Sequence, residues 1–570
     1  MQQGYPLGYT EPMLHHHLVI VGGVAGGMSA AARLRRLDES ADIVVLERGP
    51  YVSFANCGLP YFVGGEITDQ SALVLQTPAS LAASLNLDVR VNHAVTGLDA
   101  AAHEVRVEGP DGVETWTYDV LILSPGALAA APRILGLDHP AVKTLRTVDD
   151  ALGLRDLAKE GASAVVLGAG FIGLEAAEAL AHRGMAVTVV EFLPHVLPPL
   201  EKELAWLVAE ELRRLGVDVR EGVGAAGITD EGGRASVALS DGSTVTADVV
   251  VSAMGGTPDT AVFADAGLAV ERGYIVVDES GRTNLPDVYA VGDATLSVDG
   301  VTGVRRPVQL AGPANRAGRL VADAIAGTAP RPIPRPLGTA IVRVGSLTAA
   351  MTGANRASLD AAGRAYTTIH THPANHAGYF PGSTMMHLVV HIDTKTGEIL
   401  GAQAVGQDGV DKRIDVLATA IKGKLAAPDL VDLDLSYSPP YGSAKDPVTM
   451  VGFVADNVLT GQTRLWYADQ LDWARHEAFL LDVRTAREFA SGHLPEAVNI
   501  PHTQLRGRLD EVRRLAAGRD VAVMCQSGVR SYIAHRVLVA AGFTSSTLSG
   551  GMLTLKAWLG AEAPAVLTPQ

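Results

Sequence analysis

Residues 164–173 read AVVLGAGFIG, in which an apolar run passes directly into the pattern G-x-G-x-x-G. An Ala-rich segment follows, and the next apolar run, residues 187–190, ends on Glu191. This order predicts a βαβ unit that holds a dinucleotide, with the pyrophosphate at the helix N-terminus and the ribose on the terminal carboxylate. That carboxylate would repel a 2′-phosphate, which favours NADH over NADPH. The predicted contacts of this nucleotide are Gly168, Gly170, Phe171, Ile172, Gly173 and Glu191.

The same order of elements occurs earlier in the chain. Residues 18–27 read LVIVGGVAGG, with Val24 where the middle glycine normally stands, and the apolar run at residues 43–46 ends on Glu47. Residues 121–127 (LILSPGA) and 288–293 (VYAVGD) are two further apolar runs that end in glycine turns. The sequence therefore predicts two nucleotide-binding folds in one chain.

The composition limits the class of protein. The 570 residues allow roughly three to five domains. Hydrophobic residues make up 47% of the chain and charged residues 19%, which is typical of a soluble globular protein and excludes a disordered or collagenous chain. The net charge of −16 argues against a nucleic acid or an anionic membrane as partner. No metal site is predicted.

The cysteine count and the N-terminus indicate the compartment. The two cysteines, Cys57 and Cys525, are too few and too far apart for a disulfide scaffold, which favours a reducing compartment. Residues 1–11 lack the apolar run of a signal peptide, and no long uncharged apolar run predicts a membrane span. We therefore expect a cytoplasmic protein.

Two boundaries divide the rest of the chain. A Pro-rich run at residues 329–336 ends the nucleotide-binding region, and residues 339–405 then alternate as an antiparallel sheet does. A polar segment at residues 460–472 is the second boundary. The apolar run at residues 478–483 begins what we expect to be an independent α/β domain.

A known family matches these features. Residues 18–455 resemble the FAD-dependent pyridine nucleotide-disulfide oxidoreductases, and residues 53–60 (SFANCGLP) narrow the resemblance to coenzyme A-disulfide reductases and their relatives, which include NADH oxidases and persulfide reductases. The resemblance implies an FAD-binding domain at 14–128 and 252–330, an NAD(P)H-binding domain at 129–251 and an α+β dimerisation domain at 337–459. It also implies Gly255 as an NAD(P) contact. The implied FAD contacts are Gly22, Val24, Ala25, Gly26, Gly27, Glu47, Arg48, Gly126, Gly292, Asp293 and Tyr437.

Cys57 is the only cysteine of this flavoprotein region. An internal disulfide within the region is therefore impossible, and the remaining redox forms are a mixed disulfide with a small thiol or a sulfenic acid. Close to a flavin and a helix N-terminus, we expect a lowered pKa for this thiol.

Coenzyme A is the small thiol that the resemblance implies. Ser29, Arg33 and Arg36 are spaced four and three residues apart, so they share one helix face, and guanidinium groups suit the phosphates of an ADP-like anion. These three residues match the family's coenzyme A contacts. The other implied contacts are Ser53, Asn56, Asn315 and Lys445.

Two tyrosine-bearing segments resemble the family's dimerisation motifs. They are residues 375–382 (NHAGYFPG) and 437–441 (YSPPY). In the family such tyrosines enter the active site of the partner subunit, which implies a homodimer. Tyr379 and Tyr437 are the expected groups that bond or protonate the departing thiolate, and Tyr441 is the next choice.

The last hundred residues resemble a rhodanese domain, expected at 468–565. The matching segments are 481–484 (LDVR) and 524–531 (MCQSGVRS). The loop after Cys525 opens a helix, so its N–H groups can surround a thiolate or persulfide, and Arg530 adds positive charge. Four residues separate the Cys from the Arg, which is the spacing of sulfurtransferases.

Together these features predict an NAD(P)H-dependent flavoprotein that reduces coenzyme A persulfide or disulfide, with polysulfide as a further acceptor, while the rhodanese domain handles sulfane sulfur. Its fold would be α/β, with two Rossmann-like domains, an α+β dimerisation domain and a C-terminal α/β rhodanese domain. Two other functions stay open. One is an NADH oxidase that uses a cysteine sulfenate, and the other is a non-catalytic redox sensor or sulfur carrier.

Overall fold

The computed structural model describes residues 16–328 and 331–568. Its contacts divide the chain into two compact units, one of residues up to 190 with 223–338, the other of residues 191–222 with those from 339 onward. The predicted start of the FAD-binding domain at residue 14, residues 1–11, and residues 329–330 of the Pro-rich boundary lie outside the described residues. Among the described residues, no helix combines the length and apolar character needed to cross a bilayer.

The first unit contains two parallel sheets, as the two βαβ patterns predict. Their strands are buried on both faces, as Val19, Ile20 and Val165 show, which explains why they read as continuous apolar runs. The first sheet has the order Val288–Ala290, Val120–Leu123, His17–Val21, Asp42–Glu47 and Asp88–Val91. The second includes, in order, Ala186–Glu191, Ser163–Leu167, Val249–Ser252 and Val142–Lys143.

Helices and small antiparallel sheets flank these strands. The helices of this unit are Ala25–Leu37, Leu59–Gly64, Pro78–Leu85, Val148–Leu157, Phe171–His182, Ala261–Asp265 and Ala311–Ile325. The three-stranded antiparallel sheets are Ala94–Asp99, Glu104–Gly109 and Gly112–Thr117, and Ala225–Glu231, Arg234–Leu239 and Thr244–Ala247. Paired short strands are Ala127–Ala129 with Gly256–Pro258, Val270–Glu271 with Tyr274–Ile275, and Leu296–Val298 with Arg305–Pro307.

The second unit contains an antiparallel sheet and a parallel sheet. The antiparallel sheet, predicted from the alternation at residues 339–405, has the order Ala340–Val344, Leu347–Gly353, Ile399–Gly406, Met386–Asp393 and Tyr366–Thr371. The parallel sheet has the order Leu465–Trp466, Ser545–Leu548, Val521–Met524, Phe479–Asp482 and Val498–Asn499. Because Leu465–Trp466 pairs with Ser545–Leu548, this sheet begins before residue 468.

The helices of the second unit come from all its parts. They are Lys202–Arg214, Arg356–Ala361, Val410–Gly423, Pro447–Leu459, Leu471–His476, Ala486–Ala490, Leu509–Ala516, Val529–Ala540, Gly551–Leu559 and Ala563–Val566. A further strand, Asp218–Glu221, lies in the segment 191–222.

A buried cluster, here called the polar junction, ties the parallel sheet to the antiparallel one. It consists of Glu203, Arg356, His370 and Ser549. The Arg356 Nη2 group donates to Glu203 Oε1 at 2.6 Å, His370 Nε2 lies 2.8 Å from the same oxygen, and His370 Nδ1 lies 2.7 Å from Ser549 Oγ. In the structure the C-terminal α/β region and residues 339–459 belong to one compact unit.

Candidate active site

The first glycine-rich turn has the geometry that a dinucleotide needs. Gly22 has φ +99°, which favours glycine, whereas Val24 has φ −118°, so a residue with a side chain fits there. Glu47 ends the strand Asp42–Glu47, and its two carboxylate oxygens accept from Gly23 N at 2.7 Å and Gly49 N at 2.8 Å. Each oxygen keeps a lone pair for a ribose hydroxyl. These residues fit the adenosine end of FAD.

Helix Ala25–Leu37 begins at this turn and packs closely on helix Ala311–Ile325. Across this contact Ser29 Oγ donates to Asn315 Oδ1 at 2.9 Å, so the structure brings together two of the predicted coenzyme A contacts. Arg33 Nε donates to Asp323 at 2.6 Å, which commits that nitrogen to an ion pair, whereas Arg36 is exposed.

The loop that carries Cys57 is fixed to the glycine-rich turn. Ser53 N donates to Gly23 O at 2.8 Å, and Ser53 itself has φ +48°. The 3-10 turn Asn56–Gly58 then leads into helix Leu59–Gly64, which leaves both Asn56 and Cys57 exposed.

The chain's own groups raise the pKa of Cys57, whereas the lowering expected above refers to a thiol beside a flavin. Although the residue is exposed, nearby protein atoms desolvate its thiol and raise the pKa, and the carboxylates of Glu175 and Asp293 raise it further. Glu175 lies on helix Phe171–His182 and accepts from the Tyr61 hydroxyl at 3.3 Å. Negative charge near the sulfur opposes formation of a thiolate.

Arg146 is a residue of this region that the sequence analysis missed. Burial lowers the pKa of its guanidinium, and it acts electrostatically on both Asp293 and Arg48. Burial raises the pKa of Asp293, an effect that Arg146 opposes. Arg48 itself pairs with Asp259. Arg146 belongs to no recognisable motif, since the fold alone brings it here.

The second glycine-rich turn also fits a dinucleotide. Gly168 has φ +96°, and a Cβ added to Gly170 would meet only open space, as a pyrophosphate cradle requires. Gly255, with φ +98°, likewise faces open space. Glu191 ends the strand Ala186–Glu191, is buried, and accepts from Leu193 N at 2.8 Å.

The predicted tyrosines come together in the second unit. The hydroxyls of Tyr379 and Tyr437 lie 3.4 Å apart, and this hydrogen bond raises the pKa of Tyr379. Tyr379 is 77% exposed and Tyr441 73% exposed. Lys445, also exposed, lies with Nζ 5.9 Å from the centre of the Phe453 ring.

A buried ion pair holds both tyrosine segments, and the sequence analysis missed it too. Arg413 Nη2 donates to Asp446 Oδ2 at 2.8 Å and to Asn375 O at 2.9 Å, so it ties the start of segment 375–382 to the residue after Lys445. The backbone bond from Ala377 N to Gly442 O, 2.9 Å, closes the same link.

Cys525 lies at the end of strand Val521–Met524 and is fully buried. Its sulfur accepts from Gly528 N at 3.2 Å, and the thiol donates to Ser531 Oγ at 3.4 Å. The Cys525 carbonyl accepts from Met552 N at 2.8 Å, which fixes the loop against helix Gly551–Leu559.

Arg530, predicted to add positive charge beside Cys525, is bound to a carboxylate. Its two terminal nitrogens donate to the two oxygens of Glu488 at 2.7 and 2.6 Å. The hydrogen bond to Glu488 raises the pKa of Arg530, and a smaller electrostatic interaction with Cys525 acts in the same direction, so the guanidinium lies within electrostatic reach of the sulfur.

Among the residues that the structure describes, no group of three or more histidine, cysteine or acidic side chains could hold a metal ion.

Comparison with known proteins agrees with this arrangement. Residues 16–318 match the family of pyridine nucleotide-disulphide oxidoreductases, residues 339–447 the dimerisation domain of that family, and residues 463–558 the rhodanese-like domain. A coenzyme A disulfide reductase of Staphylococcus haemolyticus is 32% identical over 443 residues, covering 77% of this chain and 99% of that protein.

Two solved structures cover nearly the whole chain. The reduced Bacillus anthracis CoADR-RHD is 39% identical, covers 98% of this chain and 100% of its own, and has a TM-score of 0.94. An NAD-dependent persulfide reductase from A. fulgidus is 36% identical, covers 94% and 99%, and has a TM-score of 0.88. The chain belongs to the pyridine nucleotide-disulphide oxidoreductase family, which implies FAD and NAD(P)H as cofactors, and it carries a rhodanese-like domain after the dimerisation domain.

Proposed function

We propose that this oxidoreductase reduces coenzyme A persulfide and coenzyme A disulfide with NAD(P)H, through the single thiol of Cys57, and accepts polysulfide as well. The observation that carries the proposal is an exposed cysteine without a second cysteine anywhere in residues 16–318. Such a thiol forms a mixed disulfide with its substrate instead of an internal one. The relatives named as coenzyme A disulfide reductase and persulfide reductase support this substrate class.

The two glycine-rich turns would bind different cofactors. Glu47 and the first glycine-rich turn would hold FAD, and the turn at Gly168 with the carboxylate of Glu191 would hold the nicotinamide nucleotide, with NADH preferred. FAD, when bound, supplies the two-electron carrier between reduced nicotinamide and sulfur.

The sulfur chemistry at Cys57 balances as a displacement. The thiolate attacks the sulfur of coenzyme A persulfide that is bonded to carbon, the disulfide between Cys57 and coenzyme A forms, and hydrosulfide leaves. Two electrons and a proton then return the Cys57 thiolate and free coenzyme A thiol. Desolvation and the carboxylates of Glu175 and Asp293 raise the pKa of this thiol, and bound cofactor and substrate would supply the stabilisation of the thiolate.

Coenzyme A would lie along the helix Ala25–Leu37. The hydrogen bond between Ser29 and Asn315 supports this placement, because it orients Ser29 on the helix face that also carries Arg36 and holds Asn315 of the adjacent helix beside it. We further propose that Ser53, Asn56 and Lys445 contact the same ligand, and that Arg33 contributes through the guanidinium nitrogens that Asp323 does not hold.

The tyrosine segments support a homodimer. Tyr379, Tyr437 and Tyr441 are exposed aromatic residues, 51% to 77% accessible, on a domain that matches a dimerisation family. We propose that these tyrosines enter the partner's active site, where Tyr379 and Tyr437 protonate the departing thiolate. Sedimentation during turnover tests this: a monomer with full activity would contradict it.

The experiment that tests the function compares Cys57→Ser with the wild-type chain. The variant should fold, keep its yellow flavin absorption and lose NADH-dependent reduction of coenzyme A persulfide. NADH consumption is measured with coenzyme A persulfide, coenzyme A disulfide, polysulfide and oxygen as separate acceptors. Full persulfide turnover in the variant rules out the covalent mechanism, and turnover with oxygen alone would support an oxidase.

A further inference from the structure

The sulfur of Cys525 is surrounded by uncharged hydrogen-bonding groups. Its two partners are the Gly528 N–H, at 3.2 Å, and the Ser531 hydroxyl, at 3.4 Å. The Ser531 hydroxyl in turn accepts from Thr547 Oγ1 at 2.6 Å. The Ser531 hydroxyl donates to Gly528 O at 2.9 Å, so the Gly528 N–H is the group that donates to the sulfur and can stabilise a thiolate or a persulfide. None of these groups supplies the full positive charge that a dianion needs.

The one basic residue of the loop is already neutralised. Residues 525–530 read CQSGVR, so Arg530 is the loop's only cation. It makes a two-point ion pair with Glu488, and this pairing, against a smaller opposing effect of burial, lowers the pKa of Glu488 to about 2. The carboxylate is therefore ionised at any working pH, and the pair carries no net charge.

The helix that follows the loop presents an apolar rim. Val529 is 58% exposed and Ile533 39% exposed, and their spacing of four residues places them on one helix face. An organic thiol would find apolar surface beside the loop, whereas a small inorganic dianion gains nothing from such a rim.

We propose that Cys525 takes sulfane sulfur from organic thiol persulfides and discriminates against thiosulfate. The reason is that Glu488 already pairs with Arg530, the cation that the SO₃ group of thiosulfate would need. The inference rests on the function that the rhodanese resemblance implies for Cys525, which is to carry sulfane sulfur as a persulfide. In the favoured step the Cys525 thiolate attacks the outer sulfur of R–S–SH, Cys525–S–SH forms and R–S⁻ leaves, so atoms and charge balance. With thiosulfate the leaving group would be sulfite, a dianion that needs a free guanidinium.

The test measures addition of one sulfur atom to Cys525 by intact mass. It uses the full FAD-bound chain with Cys57→Ser, so that Cys525 is the only thiol. The two donors are thiosulfate and the persulfide of N-acetylcysteamine, whose organic part carries no charged group and whose S–SH form is the donor in the step above. We expect the persulfide to load Cys525 at least about tenfold faster than thiosulfate, because thiosulfate lacks a charge-assisted contact with Arg530 in the wild-type loop.

Glu488→Gln then reverses the preference. Glutamine can keep the capping contacts that Glu488 makes with Thr485, but it removes the negative charge that neutralises Arg530. The ratio of the thiosulfate rate to the persulfide rate should rise by about tenfold. The matched control is Glu511→Gln, which breaks an ion pair with Arg508 in the same domain and should leave that ratio unchanged.

The outcomes separate the inference from the proposed function. Equal loading of the wild-type loop by both donors, or an unchanged ratio in Glu488→Gln, overturns the inference. The double variant Glu488→Gln/Arg530→Gln should lose the gain, so a gain that persists also contradicts it. If neither donor loads Cys525 in any variant, the persulfide-carrying function implied for Cys525 is itself wrong, and the inference fails with it.

Discussion

The groups around Cys57 raise the pKa of its thiol. The thiol is exposed, yet desolvation by its surroundings and the negative charges of Glu175 and Asp293 raise its pKa. These effects favour the protonated form of the sulfur, which is the less reactive form.

At the residue scale we predict that Glu175→Gln makes Cys57 more reactive. Removing the carboxylate removes one of the charges that raise the thiol pKa, so a larger fraction is thiolate at neutral pH. Alkylation of Cys57 by iodoacetamide, followed across pH in the FAD-bound protein, should shift to lower pH and be several-fold faster at pH 7.

The control for that measurement is Glu178→Gln on the same helix, Phe171–His182, since Glu178 is not among the groups that act on Cys57. An unchanged profile in Glu175→Gln, or an equal shift in Glu178→Gln, would show that the charge of Glu175 does not govern this thiol.

At the element scale, the contact between helices Ala25–Leu37 and Ala311–Ile325 positions the predicted coenzyme A residues. The helices approach so closely that a Cβ on Gly318 would overlap the backbone carbonyl oxygen of Gly26. The same contact carries the hydrogen bond between Ser29 and Asn315. The packing of the two helices and the proposed coenzyme A site therefore both require a small residue at position 318.

We predict that Gly318→Ala destabilises the protein by about 1–3 kcal/mol, because the helices must move apart. Thermal unfolding and FAD retention after gel filtration measure the effect. The control is Gly153→Ala, in the middle of helix Val148–Leu157, where an added Cβ meets open space.

Because alanine favours a helix interior, the control variant should be more stable by about 0.5–1 kcal/mol. Equal stability changes in the two variants would contradict the importance of the close approach.

The parts of the fold that repeat a local pattern could be predicted from sequence. The strand–turn–helix order at Gly22 and Gly168 places both nucleotide sites, and the spacing of Cys525 and Arg530 predicts a rhodanese-like loop. Arg146, Arg413 and Glu488 could not be found in this way, because each reaches its partner through the fold and belongs to no local spacing. The effect of Glu175 on the pKa of Cys57 could not be predicted for a similar reason, since Glu175 comes from a distant helix.

At the scale of the whole molecule, buried histidines hold the second unit together. Burial keeps the pKa values of His370 and His372 below the usual range, and it lowers the pKa of His387 to about 4. His372 lies 2.8 Å from Thr554 and 2.9 Å from His387. Burial would raise the pKa of Glu203, but hydrogen bonds from His370 and Arg356 hold it below the usual range.

We predict that acidification destabilises this unit. In the unfolded chain these histidines titrate near their ordinary pKa, about 6.5, so below that pH the unfolded state binds protons that the folded state does not. Each histidine then costs about 1.4 kcal/mol per pH unit until its folded pKa is reached, near pH 4 for His387. Glu203 adds a loss of the same sign at lower pH.

Thermal melts between pH 7.5 and pH 5 measure this effect. His387→Gln should flatten the dependence of the melting temperature on pH. His476→Gln, at an exposed site in the same unit, should leave it unchanged. Parallel curves for His387→Gln and the wild type would contradict the role of that histidine.

The polar junction also decides whether this protein can be shortened. Ser549 meets His370 there, and Trp558 lies within 5.1 Å of the Lys202 ammonium and 5.8 Å of the Arg356 guanidinium. A truncation before the rhodanese-like region would expose His370, Glu203 and their neighbours to water. It would also remove Ser549 and Trp558, which contact them in the structure. The sequence boundary between the dimerisation domain and the rhodanese-like domain is therefore not a good site for truncation. A reductase without its C-terminal domain would aggregate more readily and would be less stable.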